Sequence, residues 1–265
     1  MKRWLPFVKS EPTVAVIRLS GMISSSGRGA LNDAALAPAI EKAFSKGKPA
    51  AVALEINSPG GSPVQSSLIG ARIRRLAEEK DIPVLAFVED VAASGGYWLA
   101  VAADEIYADP SSVVGSVGVI SAGFGLHEFI NRYGVERRVY TAGQSKSMLD
   151  PFRPEQPEDV ARLKTLLEDI HVNFKDHISA RRAGKITTDQ DLFTGEIWLA
   201  KRAVELGLID GIDHIKPHLQ KRFGMKVQIK QYGTKKGLLS RFGAHAVSDA
   251  VQGIEERAAF ARFGL

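Results

Sequence analysis

Short strand-like and helix-like segments alternate along most of the chain, and this alternation is the strongest constraint on its fold. Thr13–Leu19 alternates and is rich in β-branched residues, which predicts a strand. Asn32 is a candidate N-cap for a helix ending near Phe44. Ala50–Ile56 is a buried-strand pattern, and Pro63–Glu79 has helical spacing. Alternation at such short intervals favours an α/β fold with a mostly parallel sheet flanked by helices.

The same patterns predict further elements downstream. The predicted strands are Pro83–Val88, Glu105–Ala108, Val117–Ile120 and Val135–Tyr140. The predicted helices are Ala92–Ala103, Leu126–Tyr133, Glu155–Gly184 and Trp198–Leu206. From about Lys221 the chain becomes basic and interrupted by glycine, with a helical pattern at Leu239, Phe242, Ala246, Ala250, Ile254 and Ala258. We therefore expect an N-terminal tail (1–12), one domain (13–220) and a basic amphipathic extension (221–265).

The charge is unevenly distributed between the predicted domain and the extension. The net charge is +5, yet Lys216–Leu265 holds 10 basic and 3 acidic residues, while the preceding residues hold 25 basic and 27 acidic. The body is thus slightly acidic, so we expect no nucleic-acid partner. A basic amphipathic segment is compatible with packing in an oligomer or with peripheral contact with an anionic membrane.

The N-terminal residues are basic, but polar residues from Lys9 to Pro12 interrupt any apolar stretch, so no secretory signal peptide is predicted. The longest apolar runs, such as Tyr97–Ala103, are much shorter than the ~20 residues of a membrane span. We expect a cytoplasmic protein, with the inner face of the membrane as a candidate location.

Several chemistries lack the residues they need. There is no cysteine, which excludes disulfides, thiolate catalysis and cysteine-ligated metal centres. The phosphate-binding loop motif is absent, and the sequence starting at His127-Glu128 has Asn131 where a zincin motif needs its second histidine. No metal or cofactor is therefore expected.

A serine among small residues is the first positive signal. Ser94 lies in DVAASGGY between a predicted strand and a predicted helix, where small neighbours allow a sharp turn and an exposed hydroxyl. The first amides of a helix could also stabilise negative charge there. Taken alone, the segment equally suits a serine packed at a helix start.

Two further segments add to this signal. After a strand, Asn57-Ser58-Pro59-Gly60-Gly61 suits a turn with positive φ and a free N–H, although such a sequence is often only a turn. Lys146, in GQSKSMLDP, is surrounded by small and apolar residues, and desolvation would favour its neutral amine as a base. A solvated loop lysine is the ordinary alternative.

Together these segments resemble the S49 family of serine peptidases, the signal peptide peptidase A (protease IV) and SohB group of the ClpP/crotonase superfamily. The matching stretches are NSPGG from Asn57, DVAASGGY from Asp90, GSVGVI from Gly115, GQSKSMLDP from Gly143 and TGEIWLAKRAVELGLIDG from Thr194. The resemblance spans roughly Thr13 to Asp213 and implies a ClpP/crotonase-like fold.

The resemblance also implies roles for five residues. Ser94 matches the family nucleophile and Lys146 its general base, and Ser116 matches a serine that orients the lysine. Gly61 and Gly95 match the positions whose backbone amides form the oxyanion hole. The family further implies peptide substrates, signal peptides included, and a homo-oligomeric ring in which the Ser–Lys dyad can form between subunits.

Two other functions remain open at the sequence level. A crotonase-like acyl-CoA enzyme would share the fold, but its paired carboxylates are not evident beside the Gly-Gly turn. The second alternative is a non-catalytic scaffold whose basic segment binds a partner. Among peptidases, a Ser–His–Asp triad would need His127, His171 or His177, none of which lies in a supporting motif.

Overall fold

The computed structural model of the chain describes residues 11–26, 30–143, 145–186, 189–233 and 257–265. Its strands are β1 (Thr13–Ser20), β2 (Ala51–Ser58), β3 (Val84–Ala93), β4 (Glu105–Ala108), β5 (Val113–Gly115), β6 (Ile197–Leu199), β7 (Gly211–Ile212) and β8 (Gln228–Tyr232). Its helices are α1 (Asp33–Ser45), α2 (Pro63–Lys80), α3 (Gly95–Ala100), α4 (His127–Arg132), α5 (Pro157–Arg181), α6 (Ala200–Glu205) and α7 (Ile215–Phe223). A short helix also covers 257–261.

One mostly parallel sheet organises these elements. Its order is β6-β5-β3-β2-β1-β8, with β4 pairing with β3 and β7. The pairing of β5 with β6 is antiparallel, and the other pairings are parallel. Strand β3 pairs with β4 through its first half and with β5 through Val91–Ala93. The predicted α/β architecture with a mostly parallel sheet flanked by helices is confirmed.

Alternate residues of the central strands enter two different cores, because successive side chains of a strand point to opposite faces. On β1, Ala15 and Ile17 join the large core that also contains buried residues of α1, α2 and α3. Val14 and Val16 join a smaller core on the other face, where Leu219 of α7 packs. Burial on both faces explains why the central strands are almost continuously apolar.

A buried hydrogen-bond network fixes the position of α3, the helix that follows Ser94. The Tyr97 hydroxyl donates to the Leu208 carbonyl at 2.6 Å. The buried Arg182 guanidinium donates to the Gly207 carbonyl and, at 2.7 Å, to the Asp210 carboxylate. These hydrogen bonds join α3, the end of α5 and the 206–210 turn. They therefore hold the start of α3, next to Ser94, in a fixed position.

Most of the predicted elements are confirmed with small shifts of their ends. Asn32 is the N-cap of α1, and its side-chain oxygen accepts a hydrogen bond from the Ala35 amide at 2.9 Å. The predicted helix Ala92–Ala103 begins only at Gly95, because Val91–Ala93 pairs with β5. Likewise, Trp198 is a strand residue, since its backbone pairs with Val114.

Two predicted strands are wrong. Val117–Ile120 and Val135–Tyr140 form no strand in the described part of the chain, and neither has a neighbouring strand with which to pair. An alternating apolar pattern predicts a strand only where main-chain partners exist.

The residues assigned to the basic extension are only partly described. Strand β8, which starts at Gln228, pairs in parallel with β1. The predicted helical pattern from Leu239 to Ile254 lies outside the described residues. No helix of the described residues is both long enough and apolar enough to cross a membrane.

Candidate active site

Two turns at the carboxyl ends of neighbouring parallel strands lie against each other. One follows β2 and contains Gly60 and Gly61, and the other joins β3 to α3 at Ser94 and Gly95. Gly60 has φ 101°, and a Cβ placed there would lie 2.8 Å from the Gly95 nitrogen. Only glycine therefore allows the first turn to approach the second so closely.

Ser94 has a strained backbone conformation between β3 and α3. Its φ of 52° and ψ of −122° lie outside the regions that side chains with a Cβ normally adopt. The Ser94 amide donates to the Gly115 carbonyl of β5 at 2.8 Å, which helps to hold the strained turn. The Ser94 hydroxyl makes no capping hydrogen bond to α3 and lines an open cavity. Strain of this kind is characteristic of functional residues whose surroundings fix them in place.

The backbone amides of Gly61 and Gly95 lie next to this serine. A Cβ on Gly95 would lie 3.4 Å from the Gly61 nitrogen, and both glycines line the same cavity as Ser94. Within the described ranges, neither amide donates a hydrogen bond to a carbonyl or a side chain. Gly95 is the first residue of α3, where an amide has no intrahelical acceptor. Two free amides beside a hydroxyl are the arrangement that stabilises an oxyanion.

Ser116 enters the cavity from the neighbouring strand. Ala93 and Gly115 are register partners of β3 and β5, so Ser94 and Ser116 directly follow paired residues. Ser116 also has positive φ, at 52°, and its amide donates to the Glu196 carbonyl at 2.7 Å. The structure thus brings four of the five predicted site residues to one cavity: Ser94, Ser116, Gly61 and Gly95.

The cavity has a volume of about 400 Å³, and its wall combines apolar side chains with serine, threonine and arginine side chains. The apolar lining residues are Pro59, Pro63, Trp98, Val119, Ile120, Ile170, Phe174 and Phe263. No aspartate or glutamate of the described residues lines it. The wall suits an apolar ligand and lacks the carboxylates that acid–base chemistry on an acyl-CoA would use.

Trp98 forms part of this wall and contacts two aromatic side chains of α5. Its ring stacks on His177, with centroids 4.1 Å apart and planes 9° apart, and contacts Phe174 at 5.1 Å between centroids. Burial and, to a smaller extent, the Arg181 charge together lower the pKa of His177 to about 4. His177 is therefore a neutral aromatic support at ordinary pH. Sequence reasoning missed this pair, although the i, i+3 spacing of Phe174 and His177 on an amphipathic helix was a usable signal.

None of the three histidines considered for a triad lines the Ser94 cavity. His127 lies on α4 and approaches Glu128 at 3.9 Å, and His171 lies on α5 and approaches Glu168 at the same distance. Nothing in the described residues therefore brings a histidine to Ser94.

Lys146 has a different environment from the other predicted site residues. It is exposed, in the turn-rich segment 145–149, and does not line the Ser94 cavity. Its Nζ makes no hydrogen bond or ion pair with any residue that the structure describes. A single copy of the chain thus leaves Lys146 in solvent and away from Ser94.

Comparison with known proteins gives the family of the chain and agrees with its fold. The model of peptidase family S49 matches residues 77–236, more than half of the chain. A relative from Arabidopsis thaliana, the chloroplastic serine protease SPPA, is 31% identical over 220 residues, or 80% of this chain and 32% of that protein. These matches place the chain among the peptidases. It belongs to peptidase family S49.

Another relative, from Brucella abortus, is 47% identical over the whole of this chain and carries the name Na(+)/H(+) antiporter NhaA. The alignment covers 39% of that protein, so the name describes a much longer chain. This chain therefore spans only about a third of the length of these two relatives.

A solved structure is similar in fold. The mutant structure of the 1510-N membrane-bound stomatin-specific protease has a TM-score of 0.54 and 15% sequence identity, and the match covers 86% of this chain and 100% of that one. At this identity the similarity concerns the fold alone.

Proposed function

We propose that this chain is a serine endopeptidase in which Ser94 is the nucleophile. The observation that carries the proposal is the strained Ser94, which lines a cavity beside the free amides of Gly61 and Gly95. Membership of a peptidase family supports it.

The proposed reaction needs one base and two amides. The neutral Lys146 amine accepts the Ser94 proton while Oγ bonds to the peptide carbonyl carbon, and the Gly61 and Gly95 amides stabilise the resulting oxyanion. The tetrahedral intermediate then collapses, and the leaving amine takes the proton from the Lys146 ammonium. Water attacks the acyl-enzyme with Lys146 again accepting a proton, which returns to Ser94 as the carboxylate product leaves. Ser116 lines the same cavity and in this proposal orients the amine.

The exposed position of Lys146 supports a dyad that forms between two copies of the chain. The segment leading to Lys146 exposes large apolar side chains, including Phe124 (85% exposed) and Tyr140 (91% exposed). Others in the same segment are Ile120, Phe129, Tyr133 and Val135. An exposed apolar cluster of this kind marks a protein–protein surface. A second copy would cover it and exclude water from Lys146, completing the dyad within a ring.

The apolar side chains of the cavity wall support unfolded, apolar peptides as substrates, with signal peptides as one such class. Trp98, Ile170 and Phe174 offer aromatic and aliphatic surface next to Ser94. An extended apolar peptide would gain the free energy of burying its side chains there.

Ser94→Ala tests the proposed nucleophile, with Ser111→Ala, an exposed turn serine, as the matched control. We expect Ser94→Ala alone to abolish both the cleavage of an unfolded apolar reporter peptide and labelling by a fluorophosphonate. Activity retained by purified Ser94→Ala protein would refute the proposal. A folded wild-type protein that neither cleaves nor labels would favour a non-catalytic scaffold, and tight acyl-CoA binding would favour a crotonase-like enzyme.

Mixing experiments test whether the dyad forms between copies. Ser94→Ala and Lys146→Ala should each be inactive, but after subunit exchange a mixed assembly should recover part of the activity, because an intact Ser94 meets an intact Lys146. Lys164→Ala, an exposed lysine of α5, is the control. If the subunits exchange fully but peptidase activity does not recover, the two residues of the dyad must belong to the same copy of the chain.

The basic segment from Lys216 onward supports peripheral contact with the inner face of a membrane. Most of this segment lies outside the described residues, but Lys230 lines an open cavity together with Arg18, Lys42 and Lys46. Such a cluster attracts anionic lipid. Sedimentation with vesicles containing phosphatidylserine should fall in a Lys42→Glu/Lys46→Glu variant and remain unchanged in Lys80→Glu. Equal binding by all three proteins would exclude this surface.

A further inference from the structure

The Ser94 cavity is lined in part by a segment that is distant in sequence. Arg262 and Phe263 contribute to the same wall as Ser94, Trp98 and Ser116. More than twenty positions of the sequence separate this segment from β8, which ends at Tyr232. A stretch of chain outside the main sheet thus borders the cavity in which the proposed function places the substrate.

The 257–265 segment presents one apolar side to the body of the protein. Ala259, Phe260 and Phe263 are half-buried, whereas Arg257 and Ala258 are exposed. Spacings of three and four residues place these half-buried side chains on one side of a helical turn. Ile170 and Phe174 of α5 line the same cavity as Phe263. Docking therefore brings apolar surface against apolar surface.

The conformation of the segment distinguishes a blocking segment from a substrate. Residues 257–261 are helical, and the amides of Phe263 and Leu265 donate to the Phe260 carbonyl. Gly264, with φ 76°, closes this turn. A protease binds its substrate as an extended strand whose carbonyl faces the nucleophile. In a helical turn the backbone is not extended, so its carbonyl groups do not face the nucleophile in the way that cleavage requires.

We propose that the 257–265 segment docks in the Ser94 cavity as a helical turn and competes with peptide substrates without being cleaved. Its effect on catalysis rests on the proposed peptidase function, whereas its binding does not. Because the segment is tethered to the enzyme, its effective concentration is on the order of 1 mM, so a weak contact is sufficient to compete.

The test uses the full chain with Phe263→Asp, which puts a charge on the docked apolar side. Arg257→Ala, exposed and outside the cavity, is the control. We expect Phe263→Asp to lower the KM for an apolar reporter peptide about tenfold, with kcat unchanged. Labelling of Ser94 by a fluorophosphonate should accelerate by a similar factor, and Arg257→Ala should behave as the wild type. Equal KM and labelling rates in the three proteins would overturn the proposal.

A synthetic peptide of residues 257–265 provides a readout that does not need catalysis. It should bind a Ser94→Ala/Phe263→Asp double variant in calorimetry, inhibit the Phe263→Asp protein competitively and remain intact by mass spectrometry. A peptide carrying Phe263→Asp should neither bind the double variant nor inhibit the Phe263→Asp protein. Binding to a protein without peptidase activity would refute the proposed function and leave the docking intact. If the active enzyme does not bind the peptide, or if it cleaves the peptide, the proposal that this segment blocks the cavity is refuted.

Discussion

The rings of Trp98 and His177 are stacked almost in parallel, 4.1 Å apart between centroids, although 79 positions separate the two residues in the chain. Trp98 belongs to α3, which begins next to Ser94, and His177 belongs to α5. Through this stack the long helix supports the wall of the proposed substrate cavity.

This stack predicts a specific loss of stability in mild acid. Burial, assisted by the Arg181 charge, lowers the pKa of His177 to about 4, whereas a histidine in an unfolded chain titrates near pH 6.5. Between these values the unfolded chain binds a proton that the folded protein excludes, so the free energy of unfolding falls as pH drops from 6.5 to 4. We expect a loss on the order of 2 kcal/mol, less than the full shift implies because the ring is partly exposed.

Urea unfolding of the wild type and His177→Phe across pH 4 to 7 measures this effect. Phenylalanine keeps an aromatic ring against Trp98 and removes the titration, so the pH-dependent difference between the two proteins isolates His177. Parallel stability curves over this range would show that His177 is not buried as described.

A methyl group on Gly95 should damage catalysis more than stability. The Cβ of Gly95→Ala would meet the Ser66 hydroxyl and lie 3.4 Å from the Gly61 nitrogen, within the proposed oxyanion hole. Loss of one oxyanion-hole interaction lowers kcat by about 100- to 1,000-fold. Gly233→Ala is the control, since its added carbon meets no described atom within 4 Å. Comparable kcat values for the two variants, with thermal unfolding as the check on folding, would argue against this oxyanion hole.

The apolar segment before Lys146 should control assembly. Phe124→Asp together with Tyr140→Asp places charges on the most exposed aromatic residues of this segment. We expect a smaller species in light scattering after gel filtration, together with loss of peptidase activity. Val64→Asp, on exposed surface of α2, is the control. If the double variant keeps the wild-type mass, this segment is not the interface.

Arg182→Met should be destabilising because it leaves the Gly207 carbonyl without its buried donor and Asp210 with only the partly exposed Lys185, at 2.7 Å, as an ion-pair partner. Arg182 donates to Asp210 at 2.7 Å and also satisfies the Gly207 carbonyl. Removing one member of a buried ion pair costs about 3–5 kcal/mol, and the remaining Lys185 contact puts this variant at the lower end of that range. Arg75→Met breaks only the exposed pair with Glu79 and should cost at most about 0.5 kcal/mol. Chemical denaturation of both variants measures the difference, and similar midpoints would contradict the buried role of Arg182.

Local sequence was informative wherever the structure depends on neighbouring residues. The strands β1, β2 and β4, the N-cap Asn32 and the turn at Gly60 are all set by residue type and short-range pattern. The predicted strand Val135–Tyr140 is wrong because its alternating pattern has no partner strand. Trp198 was predicted to be helical and is a strand residue because Val114 supplies main-chain hydrogen bonds from a distant part of the chain.

The sequence alone determined the α/β class and the identities of the chemical groups, since strand and helix periodicity and a Ser-Gly pair between them are local properties. Only the tertiary structure decided their mutual positions. The parallel register of β2, β3 and β5 brings Gly61, Ser94 and Ser116 to one cavity, whereas Lys146 stays in solvent. The wall of Trp98, Phe174 and Phe263 likewise arises from segments far apart in the chain. Such contacts depend on the packing of long-range partners, which no local pattern encodes.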